Sequence, residues 1–102
     1  MKITNNLRPE IERKINAFNT EHDCKYVARY RGNFLYLDRD DGFEKLSPIC
    51  RLTFTGDMEK WEFAIYKYSS ESYEPDEWFF PGEQHVNGTI EGAMKAGLDA
   101  YA

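Results

Sequence analysis

The 102-residue sequence lacks a long apolar run, an excess of basic charge and any close pair of cysteines. No window approaches the roughly 18 consecutive apolar residues that a membrane span needs. The stretch from Met1 to Pro9 is polar and has no apolar core of a signal peptide. Asp99-Ala100-Tyr101-Ala102 carries no lipidation or retention signal. The expectation is a cytoplasmic protein that makes no membrane contact. Only two cysteines are present, Cys24 and Cys50, and only two histidines, His22 and His85. Structural zinc sites use tight pairs such as C-x-x-C, and none occurs, so neither a metal nor a cofactor is expected. The 13 basic residues are outnumbered by 18 acidic ones, for a net charge of −5. That argues against a protein held to DNA by its overall charge.

What is present describes one globular domain, 1–102. Aromatic residues make up 16% of the chain, too many for a disordered polymer, and 7 glycines with 4 prolines are too few for a collagen-like one. The charge is unevenly spread. Residues 1–51 hold 10 basic and 8 acidic groups, net +2, and residues 52–102 hold 3 basic and 10 acidic groups, net −7. Two such halves attract each other within one fold or across a dimer interface.

Apolar periodicity predicts a helix from about Pro9 to Glu21, with Leu7, Ile11, Ile15 and Phe18 on one stripe and Pro9 in the tolerant first turn. Strands are predicted at Cys24–Arg31 and Phe34–Arg39, joined by the two-residue hairpin turn Gly32-Asn33. That loop sets Arg31 opposite Phe34, Tyr30 opposite Leu35 and Arg29 opposite Tyr36. Two more strands are predicted at Pro48–Thr55 and Trp61–Tyr68. Pairing Phe54 with Phe63 and Leu52 with Ile65 keeps apolar residues on one face, whereas a slip of one residue would not. It also sets Arg51 opposite Tyr66. Residues 69–88 read as a long polar and aromatic connector, and a final helix, capped by Thr89, spans Ile90–Tyr101 with Ile90, Met94, Leu98 and Tyr101 on its stripe. Gly92, Ala93, Ala96, Gly97 and Ala100 let this helix approach a neighbour closely, either the sheet or a second copy. The predicted class is α+β: two layers, a four-stranded antiparallel meander, with the N-terminal and C-terminal helices on one face.

The sheet face opposite the helices carries the main candidate site. It combines Arg29 with Tyr36, Arg31 with Phe34, and Arg51 with Tyr66. A guanidinium over an exposed aromatic ring gains roughly 0.5–1 kcal/mol. Basic groups interleaved with flat rings also suit single-stranded nucleic acid, whose bases stack while arginine meets phosphate. A second candidate surface is the connector segment Tyr73, Trp78, Phe79 and Phe80, which could cover the sheet face, contact a partner or line a pocket. No nucleophile–base pair stands out, so no catalytic residue is assigned. The leading reading is a non-enzymatic interaction domain acting on a protein partner or on a second copy of itself. The alternatives are a nucleic-acid binder using the Arg/aromatic face, and a small-molecule binder or enzyme with a pocket near Trp78.

Overall fold

The computed structural model describes residues 2–40, 42, 45–77 and 79–101. The chain runs α1 (Arg8–His22), β1 (Tyr26–Arg31), β2 (Phe34–Asp40), β3 (Leu46–Thr53), β4 (Glu62–Lys67), β5 (Ser72–Glu74), a short 3-10 turn (Glu83–His85) and α2 (Ile90–Ala100). The strands form one antiparallel sheet in the order β1-β2-β3-β4-β5. The α+β class is as expected, but the sheet has five strands rather than four. The extra strand lies in the connector, where a four-residue turn with Glu71 at φ 52° returns Ser72–Glu74 onto Ile65–Lys67. Three residues are too few to show an alternating pattern, so no strand was expected there.

Both helices pack on the face that carries Tyr26, Leu35, Leu37, Leu52 and Ile65. Ile11, Ile15 and Phe18 of α1 are buried as their spacing requires. The α1 helix ends where Asp23 adopts a left-handed conformation, φ 50°. The buried side of α2 is Ile90, Gly92, Ala93, Met94, Ala96 and Gly97, while Leu98 and Tyr101 are only partly buried. The helix is therefore rotated toward its small residues. They let it close on the sheet, where the Tyr26 hydroxyl donates to the Met94 carbonyl at 2.7 Å. Arg39, beside Tyr26, donates to the carbonyls of Gly97 and Tyr101. A cation there satisfies the unpaired acceptors at the C-terminal end of α2.

The β1–β2 register is the one predicted, with Arg31 opposite Phe34 and Arg29 opposite Tyr36. The β3–β4 register differs by two residues. Leu52 lies opposite Phe63, Cys50 opposite Ile65 and Arg51 opposite Ala64. A slip of two keeps every side chain on its own face, so burial does not discriminate between these registers. The loop does. Thr55 Oγ1 donates to the Lys60 carbonyl at 2.7 Å, and the Glu59 amide donates to Asp57 Oδ1 at 2.9 Å. That closed turn sets Phe54 against Trp61, with ring centroids 4.9 Å apart in the core. A bulge separates the pairs Leu37–Cys50 and Asp38–Pro48. Pro48 cannot donate to the ladder, and the bulge falls beside it. Ile49, the extra residue, is buried together with its neighbour Cys50. Both cysteines are free thiols. Among the described residues no helix is long and apolar enough to cross a membrane.

Candidate functional site

The face opposite the helices is lined as predicted by Arg29, Phe34, Tyr36, Arg51 and Tyr66, and β5 adds Tyr73. On a flat sheet β5 and β1 would stand about 19 Å apart, four strand spacings. Yet the Tyr73 hydroxyl lies 3.4 Å from Arg29 Nη2, and the Tyr73 and Tyr36 rings are 5.3 Å apart. The sheet therefore curls inward on this face, and the Tyr73 ring lies across it. Tyr66 meets Tyr73 edge-on at 5.0 Å. Burial pushes the Tyr73 hydroxyl above its usual pKa, an effect that the neighbouring Arg29 opposes.

The three arginines have different fates. Arg29 stacks over Tyr36 at 4.7 Å and pairs with Asp38 at 2.5 Å. Asp38 is only 4% exposed, and its hydrogen bond strengthens the hold of Arg29 on its proton. Arg31 faces Phe34 in the register but is exposed, and the Phe34 ring is taken by Arg51 instead, at 4.6 Å. The expected pairing of Arg51 with Tyr66 does not form, because the two-residue shift puts Ala64 opposite Arg51. Tyr73 substitutes for it, 5.5 Å from the guanidinium.

Arg51 is thus held between two rings and, among the described residues, forms no ion pair and donates no hydrogen bond. Its Nε is buried and has no hydrogen-bond partner among the described residues. It lines a groove of about 570 Å³, together with Thr53, Glu62 and Ala64 from the sheet face and Pro75, Asp76, Val86 and Asn87 from the connector. Trp61 also lines it. This residue is 4% exposed, its ring packed on Phe54 in the core, and its indole N–H has no acceptor among the described residues. The connector is tied along this rim by the Trp61 amide, which donates to the Gly88 carbonyl at 2.8 Å. Gly88 has φ 89°, and a methyl group there would meet the Glu59 carbonyl oxygen at 2.5 Å. Next to it, Asn87 Oδ1 accepts from Thr89 N and Oγ1, at 3.1 and 2.6 Å.

The connector aromatics divide. Tyr73 joins the sheet face, Phe80 stacks on Phe63 at 5.8 Å and joins the core, and Phe79 is 94% exposed. Trp78, and with it the pocket expected near it, lies outside the described residues. Sequence reasoning identified Arg51 and the ring character of its surroundings. It did not associate Asp76, Val86 and Asn87 with Arg51, because their approach depends on where the connector runs. The one local signal was Gly88 just before the Thr89 cap, which marks a turn.

No protein-family model, curated protein or solved structure matches the chain.

Proposed function

We propose that this protein is a non-enzymatic binding domain that receives an anionic group, a carboxylate or a phosphate, in the groove beside Arg51. The observation that carries this reading is Arg51, which lines this groove and, among the described residues, forms no ion pair and has a buried Nε without a partner. Buried donors are normally satisfied, and an unpaired one costs about 1–3 kcal/mol. The groove, about 570 Å³, has the size typical of ligand sites. Stacking occupies only the faces of the guanidinium. Its N–H donors lie in the plane and project past the ring edges, in the fork that matches a carboxylate or phosphate. The described groove residues include no cysteine, histidine, serine or lysine, and the Thr53 hydroxyl is hydrogen-bonded to no base among them, which favours binding over nucleophilic catalysis.

The nucleic-acid reading draws less support. Arg29 is neutralised by Asp38, and Phe34, Tyr36 and Tyr66 are engaged by Arg51, Arg29 and Tyr73.

Both partnerless donors are visible by proton–nitrogen NMR. Titration with acetate, N-acetylglycine and inorganic phosphate is expected to move the Trp61 indole and Arg51 Nε signals saturably. Arg51→Gln abolishes the response, and Arg51→Lys, which keeps the charge but not the fork, weakens it. No saturable shift with any of the three anions, or an unchanged shift in a folded Arg51→Gln variant, refutes the reading.

A further inference from the structure

The groove holds more than a cation. Glu62 and Asp76 also line it, and among the described residues neither forms an ion pair or a side-chain hydrogen bond. An anion entering beside Arg51 therefore meets two carboxylates, in the half of the sequence with net charge −7. A simple anion would be drawn by one group and repelled by two. A ligand with a carboxylate at one end and a cationic nitrogen at the other would satisfy both signs. We infer that the groove takes a short peptide or a peptide-like zwitterion, its carboxylate received by Arg51 and its ammonium by Glu62 and Asp76. This inference rests on the anion-receiving role proposed for Arg51.

The register sets the spacing. Arg51 lies opposite Ala64 and Thr53 opposite Glu62, so Arg51 and Glu62 are diagonal neighbours on one face, roughly 7–8 Å apart at the backbone. They do not close on each other, because the Arg51 guanidinium is drawn over Phe34 and toward Tyr73. With the guanidinium displaced from Glu62 toward Phe34 and Tyr73, a ligand longer than a free α-amino acid, whose two charges sit on adjacent carbons, is expected to bridge the two signs. A dipeptide or tripeptide extends about 3.3–3.6 Å per residue and can reach. Between the charges the walls are Ala64, Pro75 and Val86, apolar surface suited to a peptide's carbon skeleton.

The test uses the full chain and three matched probes: glycylglycine, which carries both charges, N-acetylglycylglycine, which keeps only the carboxylate, and glycylglycinamide, which keeps only the ammonium. Affinities are read by calorimetry and by the Trp61 indole signal. Glycylglycine is expected to bind at least 10-fold more tightly than either single-charge probe, and glycine more weakly than glycylglycine. Glu62→Gln combined with Asp76→Asn, both exposed positions, should bring glycylglycine and N-acetylglycylglycine to the same affinity. Arg51→Gln should remove binding of both. If the two carboxylate probes bind equally to the unsubstituted protein and both depend on Arg51, the zwitterion inference falls and the anion reading stands. If glycylglycinamide binds as tightly as glycylglycine and Arg51→Gln changes nothing, both fall. If no probe binds while acetate or phosphate does, only the inference falls.

Discussion

Gly97→Ala tests whether the small-residue face of α2 is a packing requirement. In an exposed helix this change would stabilise, since alanine is about 1 kcal/mol better than glycine. Here a methyl group on residue 97 would meet Cγ2 of Ile49 at 2.5 Å and press against the Tyr26 hydroxyl. Both neighbours are fixed. Ile49 is 1% exposed in the β3 bulge, and Tyr26 is 3% exposed and bonded to the Met94 carbonyl. Overpacking a filled core costs typically about 1–3 kcal/mol. Displacing the tyrosine hydroxyl from its acceptor adds about 1 kcal/mol or more. Offset by the helix-propensity gain, the net loss is about 2 kcal/mol, on the order of 10 °C in Tm for a domain of this size. Thermal and urea unfolding followed by circular dichroism measure it. A second arm uses Tyr26→Phe, which removes the obstructing oxygen. Placed on the Gly97→Ala background it should cost about 1 kcal/mol less than it costs alone. A Gly97→Ala protein as stable as its parent, or a Tyr26→Phe cost that is the same in both backgrounds, would refute the packing account.

Two other outcomes follow from buried groups. Burial holds Cys50 and Tyr26 well above their ordinary pKa values of 9.0 and 10.0. A group whose pKa is raised on folding leaves stability intact below the unfolded value and removes it as pH rises beyond that value. Between pH 9 and 11 the loss is roughly 2 kcal/mol from Cys50 and roughly 1 kcal/mol from Tyr26, each titrating in the unfolded chain but not in the fold. Urea midpoints should fall across that range and fall less steeply in Cys50→Ala; a flat profile contradicts this account. Arg29→Ala strips the nearly buried Asp38 of its only ion-pair partner among the described residues, at an expected cost of about 2–4 kcal/mol. Adding Asp38→Asn should then recover at least 1 kcal/mol in urea unfolding, whereas strictly additive losses would show that the carboxylate does not need its partner.

Local features carried most of the fold. The Gly32-Asn33 turn determines the β1–β2 register because a two-residue loop allows one pairing; Gly32 has φ 62° as that turn demands. Apolar spacing located α1, and the Thr89 cap located the start of α2, where its oxygen accepts from the Gly92 amide at 3.0 Å. The misplaced features depend on contacts distant in sequence. Leu98 and Tyr101 have the right spacing for a core stripe, but the close approach permitted by Gly97 turns the helix away from them. β5 has no periodic pattern of its own, and its pairing with β4 makes it a strand.

The candidate site shows most plainly where pattern reading stops. Arginines and rings on one face follow from alternation alone. Which ring Arg51 meets depends on a two-residue choice in the β3–β4 hairpin that burial cannot make. With Tyr66 opposite, a large ring would stand beside Arg51. With Ala64 opposite, that position holds a single methyl group, and the groove forms beside it. Tyr73 arrives on a strand with no sequence signature and supplies the second ring. The place of Arg51 in the groove, without an ion pair among the described residues, is therefore a consequence of the Asp57–Lys60 turn, which aligns Phe54 with Trp61 and so determines every pairing above it. Because that turn is held by side-chain bonds from Thr55 and Asp57, the shape of the groove is decided by residues that do not line it.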